Sequence, residues 1–193
     1  LNPEDEELLL QKAYLLNEYI IMREIKRIEV REGIILKQIE LEDAIDIFNT
    51  INSQREYLRK WLPFVDFTKE LKDSQSFVSS VINVSEEERE FLFVIHHNDL
   101  FAGLIGFKGT DKLNKKTEIG YWLSENYQKK GIITESVKAL LHFAFYELSI
   151  NRVQIKCAVG NIPSKNIPRR LGFKFEGIER DGELLVDNQF TDI

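Results

Sequence analysis

The chain has 193 residues, 43% of them hydrophobic, with 13 Phe, 4 Pro and a formal charge of -6. That length fits one domain able to bury its own core, and the single cysteine, Cys157, excludes an internal disulfide framework. The acidic balance argues against nucleic acid, no apolar run reaches the roughly 18 residues of a membrane span, and the acids from Glu4 to Glu7 are wrong for a secretory leader, so the reading is a cytoplasmic chain.

In chain order, the sequence opens at Leu1 rather than Met, which reads as a trimmed start or a fragment. Asn2 can cap a helix with Pro3 in its first turn and acids behind it. Leu8, Leu9, Ala13, Leu16 and Ile20 then recur at helical spacing. This predicts an amphipathic helix from about Glu4 to Arg27, a helical extension over residues 1–28 that packs on the remaining domain, residues 29–193, or on a partner. Gly33 ends that segment, and Ile34 to Ile39 reads as a first strand. Ala44, Ile45, Ile47, Phe48 and Ile51 form the apolar face of a helix that starts near Glu42. A second helix runs near Gln54 to Trp61 and stops at Pro63, because the residue before a proline is pushed out of helical geometry. A third covers Leu71 to Val84, with Phe77, Val78, Val81 and Ile82 inward.

Phe91 to Ile95 and Leu100 to Phe107 are runs of β-formers, with His96-His97-Asn98-Asp99 as the hairpin turn between them. Thr117 to Leu123 is a further strand, and Glu125 to Gly131 a polar loop. Thr134 to Leu148 is a helix whose buried stripe is Val137, Leu140, Leu141, Ala144, Phe145 and Leu148. Arg152 to Ala158 is the next strand. Ser164 to Leu171 is a short helix closed by Gly172, and Phe173 to Glu176 and Leu184 to Ile193 are final strands. This order predicts an α+β (mixed α/β) domain with one βαβ crossover. His96, His97 and His142 show no metal spacing, and Cys157 falls on a core strand as a structural residue.

The chemistry concentrates between Thr117 and Ala158. A strand there feeds a loop with Lys129, Lys130 and Gly131, and the loop opens directly into a helix. The first N–H groups of a helix lack internal partners and carry partial positive charge, so they form an anion site. Gly131 lets the backbone approach a ligand, the lysines add charge, and Thr134 can cap the helix or bond a phosphate. The residues alone leave a second reading open, an ordinary strand-to-helix turn with a solvated lysine pair. The loop is neither a Walker loop nor a dinucleotide fingerprint: Gly103, Gly106 and Gly109 do not open a helix, and strand packing or turns account for them.

Glu118-Ile119-Gly120-Tyr121-Trp122-Leu123 and Tyr127-Gln128-Lys129-Lys130-Gly131-Ile132-Ile133-Thr134-Glu135 resemble motif A of GNAT acetyltransferases, in the RimJ/RimL ribosomal-protein branch. Gln128 and Gly131 match the pattern; Lys129 stands where the branch often has Gly, and Ile133 where the superfamily has a small residue. Arg59 to Asp66 is similar to the branch's Trp-Leu-Pro-Trp-Val element, Asn161-Ile162-Pro163-Ser164 to its Asn-x-x-Ser, and Ile167 to Gly177 to its closing motif. The resemblance runs from about Ile34 to the end.

It implies a GNAT-like, mostly antiparallel twisted sheet with splayed adjacent parallel strands, flanked by helices. It implies acetyl-CoA as cofactor and no metal, with the pantetheine arm on the backbone of Trp122 and Leu123. The pyrophosphate would lie on Gln128, Lys129, Lys130, Gly131, Ile132, Ile133 and Thr134, with Asn161 and Ser164 opposite. Glu118 is the first candidate base, against a plain surface carboxylate, and Glu183 the second. Many members place a tyrosine acid where this chain has Ile167; Ser164 is the branch's substitute, against a helix N-cap. Trp61 and Phe64 line the acceptor side or belong to the core. The implied reaction moves acetyl to an amine, with the N-terminus of a ribosomal protein as leading acceptor. The alternatives are a small-molecule acetyltransferase (polyamine, amino sugar or drug) and an idle domain that senses acyl-CoA. No nucleic-acid or membrane partner is expected, and a homo-oligomer is left open.

Overall fold

The computed structural model describes residues 27–85 and 90–193, together with Lys12. The expected helix from Glu4 to Arg27 otherwise lies outside the described residues. At its end the sheet begins: β1 (Arg27–Arg31) pairs antiparallel with β2 (Ile34–Gln38). The residues of β1 alternate exposed charge with half-buried Ile28 and Val30, a period of two that a helical reading of Arg27 overlooks.

A short 3-10 turn (Leu41–Asp43) leads into α1 (Ala44–Ser53), α2 (Arg55–Leu58), a second 3-10 turn (Pro63–Asp66) and α3 (Leu71–Ile82). The sheet resumes with β3 (Leu92–His97), β4 (Leu100–Asp111) and β5 (Lys116–Leu123). Next come α4 (Ile132–His142) with a π-helical turn (Phe143–Glu147), β6 (Arg152–Gln154) and α5 (Ile162–Arg170). The chain finishes in a two-stranded hairpin of β7 (Glu183–Leu184) and β8 (Phe190–Thr191). The main sheet has six strands in sequence order, antiparallel except for β5 and β6, which run parallel. The expected mixed α/β architecture is therefore present, with the βαβ crossover at β5–α4–β6.

Alternation along the strands splits the core into two layers. Phe93 and Ile95 face α4 together with Ile34, Leu36, Ile105, Ile119, Val137 and Leu140. Val94 and Leu104 face α1 and α3 together with Ile47, Ile51 and Val78. The first layer is strongly aromatic, and Phe91 meets Phe143 edge-on at 5.1 Å. Gly103 lies against the neighbouring strand so closely that a Cβ would sit 2.2 Å from the Trp122 carbonyl oxygen, which accounts for that glycine by strand packing.

Several expectations need correction. His96 and His97 belong to β3, and the turn is Asn98 and Asp99, both at positive φ. Phe77 and Phe145 are exposed rather than inward, because one more position around each helix turns them past the sheet. The strand expected over Arg152 to Ala158 ends at Gln154. Phe173 to Glu176 forms no strand, and Leu184 to Ile193 contributes only β8 and the last residue of β7. Apolar alternation alone does not make a strand; the ladder also needs a partner at hydrogen-bonding distance, and the chain beyond Gln154 has drawn away from β5.

Candidate active site

The parting of β5 and β6 builds the site. Their ladder covers Lys116–Arg152, Thr117–Val153 and Glu118–Gln154 and then stops, while β5 continues to Leu123 on β4. The opening is floored by Tyr121, Trp122 and Leu123, closed on one side by the start of α4 and on the other by α5. A cavity of about 290 Å³ results, with Tyr57, Leu58, Trp61 and Leu62 at its other end.

The start of α4 has the backbone geometry that suits an anion. Gly131 is its N-cap at φ 75, and Lys129 two residues earlier is also left-handed at φ 61. The first helical bond runs from Glu135 N–H to the Gly131 carbonyl at 3.0 Å. The N–H groups from Gly131 to Thr134 precede it and have no partner within the helix, and all four residues line the cavity. Arg170 on α5 also lines the cavity and donates to Thr134 Oγ1 at 3.1 Å, which sets a guanidinium beside those N–H groups. Sequence reading missed Arg170; its only signal was a basic residue at the end of a helix that folds back onto α4.

The loop is pinned from α2 and its N-cap Gln54. Gln54 donates to Ser124 Oγ at 3.0 Å and accepts from Glu125 N–H at 2.8 Å, and Gln128 donates to the Tyr57 hydroxyl. Burial raises the Tyr57 pKa, opposed by that Gln128 bond. Gln54 and Tyr57 were not anticipated, because their partners lie some seventy residues away in the chain.

Of the expected cofactor residues, Trp122, Leu123, Gln128, Lys129, Gly131, Ile132, Ile133, Thr134, Asn161 and Ser164 all line this cavity. Lys130 does not: its ammonium lies over the Tyr127 ring at 5.0 Å. Ile132 and Ile133 are buried in the aromatic layer, so a bulky residue at 133 serves the helix–sheet contact. On the acceptor side Trp61 lines the cavity, whereas Phe64 is exposed outside it.

The candidate carboxylates lie elsewhere. Glu118 pairs with Lys108 at 2.8 Å and accepts from Gln154 at 3.2 Å, outside the cavity lining. Glu183 is exposed on β7. Both approach Lys156, whose pKa is raised first by its bond to Glu179 and further by the charges of Glu118 and Glu183. Ser164 is the third residue of α5 and not its cap; Asn161 caps the helix by accepting from Ser164 N–H at 3.3 Å. The Ser164 hydroxyl instead meets the Tyr121 hydroxyl at 3.1 Å. The Cys157 pKa is raised by burial, with Ser164 opposing, so the thiol stays protonated at neutral pH. Among the described residues no group of His, Cys, Asp and Glu is arranged to hold a metal ion. No helix among them is long and apolar enough to cross a membrane.

A parted parallel strand pair, a helix start with N–H groups unpartnered within the helix at one end and an aromatic wall at the other form a cleft suited to an elongated ligand with an anionic end. The acetyltransferase (GNAT) domain family matches residues 34–174, and the chain belongs to that family. It is 34% identical to the putative ribosomal N-acetyltransferase YdaF of Bacillus subtilis, over 86% of this chain and 90% of that protein. It is 30% identical to the ribosomal-protein-serine acetyltransferase of Escherichia coli, over 83% and 89%. The ribosomal-protein acetyltransferase RimL in complex with coenzyme A superposes with a TM-score of 0.81 at 25% identity, over 86% of this chain and 93% of that one. The chain is accordingly an acetyl-CoA-dependent N-acetyltransferase, similar to the RimJ/RimL branch.

Proposed function

We propose that the acceptor is the N-terminal amine of a protein, a ribosomal protein foremost. The observation that carries this is the likeness to the ribosomal-protein-serine acetyltransferase and to the putative ribosomal N-acetyltransferase YdaF, each covering more than four-fifths of the chain. In this reading the N–H groups from Gly131 to Thr134 hold the pyrophosphate, and Arg170 supplies its counter-charge. The backbone of Trp122 and Leu123 carries the pantetheine arm, and Asn161 and Ser164 border it from α5. Trp61 and Leu62 flank the incoming amine, with exposed Phe64 and Phe67 continuing that wall for a peptide.

Bound acetyl-CoA supplies an activated acyl carbon. The amine nitrogen forms its bond to that carbon as the carbon–sulfur bond breaks. Ser164, which lines the cavity from α5, is the candidate hydrogen-bond donor to the departing thiolate. For the proton shed by nitrogen the candidate acceptors are Glu118 and Glu183, which lie outside the cavity lining and so would take it through water.

The test is a panel of peptides with free or blocked α-amines, together with polyamines and amino sugars, followed by thiol release and product mass. Acetylation of free α-amines alone is the expected result. Faster turnover of a polyamine would replace the protein acceptor with a small one. Coenzyme binding without turnover on any amine would leave a sensor domain.

A further inference from the structure

Tyr121 occupies the place where the two parallel strands have just parted. Their ladder ends at Glu118–Gln154, three positions before it on β5. Its ring packs against the α4-facing core and the residue lines the cavity. Its hydroxyl is 3.1 Å from Ser164 Oγ and 3.2 Å from the Ser164 carbonyl oxygen. Among the described residues this is the side-chain hydrogen bond that joins β5 to α5 across the gap.

We infer that Tyr121 is the positioning residue of Ser164: its phenol O–H donates to Ser164 Oγ and so directs the serine's own proton into the cavity, toward the departing sulfur. The inference rests on the reading of Ser164 as the donor to the leaving thiolate.

The reason is a count of protons. A serine hydroxyl has one hydrogen and rotates to suit its surroundings. Asn161 already serves the Ser164 N–H, so capping does not hold the hydroxyl. If the phenol donates to Ser164 Oγ, the serine's hydrogen is left for another acceptor. If the phenol donates to the Ser164 carbonyl, the serine's hydrogen is drawn back to the phenol oxygen and the cavity loses its donor. Negative charge growing on sulfur favours the first arrangement, since a charge-assisted bond is about twice as strong as a neutral one. The phenol must remain protonated for this. Burial pushes the Tyr121 pKa up to about 12, opposed by the Ser164 bond, so it remains a donor through the range where amines attack. Cys157, which Ser164 also meets by a hydrogen bond, has its thiol pKa raised by burial and stays neutral, so it competes for the serine's hydrogen only as a weak sulfur acceptor.

The experiment compares kcat and KM for the full chain and for Tyr121→Phe, Ser164→Ala and the double variant. Phe keeps the ring and removes only the hydroxyl. Tyr121→Phe should lower kcat about tenfold, the scale of one lost transition-state hydrogen bond, with KM for acetyl-CoA within twofold of wild type. The double variant should be no slower than Ser164→Ala alone, because the phenol acts through the serine. Wild-type kcat in Tyr121→Phe beside a slow Ser164→Ala overturns the inference and leaves the Ser164 reading intact; so do losses that multiply in the double variant. Wild-type kcat in Ser164→Ala overturns both. As a second measurement, replacing Tyr121 by a ring-fluorinated tyrosine lowers the phenol's pKa without removing the group. The alkaline fall of kcat should move down with it, and an unmoved limb overturns the inference.

Discussion

At the residue scale, Lys129 and Gly131 show how one loop divides its work between backbone and side chain. Both are left-handed, at φ 61 and φ 75, a conformation that costs a residue bearing a Cβ about 1 kcal/mol and costs glycine little. Lys129→Gly should therefore leave the melting temperature equal or higher. If the N–H groups hold the phosphates, acetyl-CoA affinity should stay within about threefold by calorimetry; a tenfold loss would assign the hold to the lysine charge. Gly131→Val should cost roughly 1–2 kcal/mol by denaturant unfolding, from the backbone alone, since no atom lies within 4 Å of a Cβ placed there. Glu118→Gln keeps a partner for Gln154 and removes the one for Lys108. If Glu118 is the base, kcat falls most at low pH; an unchanged pH–rate profile passes the role to Glu183. Contiguous strand, glycine and helix start made the loop a candidate in sequence, and its resemblance to motif A decided between the two readings. Arg170, Gln54 and Tyr57 were not, because each meets it only through the fold.

At the element scale, the wall beside the cavity is held by arginines. Arg55 donates to the carbonyls of Val65 and Thr68, the latter at 2.7 Å, and so pins the turn that carries Phe64. Arg59 grips Asp66 with two bonds of 3.0 Å and reaches Asp187 at 3.4 Å, tying that turn to the tip of the β7–β8 hairpin. The hairpin has only two residues per strand, and Leu184 and Phe190 are exposed, so it has little packing of its own to fix it. Arg59→Ala should raise KM for the acceptor several-fold and leave KM for acetyl-CoA unchanged, as read by initial rates with each substrate varied. Arg59→Lys should fall between, because an ammonium cannot make the forked pair. Equal rises in both KM values would mean that Arg59 acts on the whole fold. The long helices and β3, β4 and β5 were readable from period and length. β1 and the C-terminal pieces were not, since short segments are decided by which neighbour is in reach.

At the scale of the whole molecule, stability at high pH should report the buried phenol. Tyr121 is raised from 10.0 to about 12, so the folded state keeps a proton that the unfolded chain releases first. The contribution is complete below pH 10.0 and fades as pH climbs to about 12, with an amplitude of roughly 2–3 kcal/mol. Tyr121→Phe should show a flatter loss of stability over that interval in denaturant titrations; an identical slope would mean that the phenol is not buried in solution. What the sequence determined by itself is local: the amphipathic helices, the alternating strands, the glycine at the helix start and the order of motifs that marks a GNAT domain. The helices, strands and helix start depend on residues a few positions apart, whose spacing sets the face they share, while the motif order is read by resemblance along the chain. What only the tertiary structure decided is where β5 and β6 part. That parting places Tyr121 on Ser164, brings Arg170 to the start of α4, and leaves Glu118 in its pair with Lys108. Spacing along the chain carries no record of such meetings, because they arise from strands and helices packing across distances the sequence does not measure.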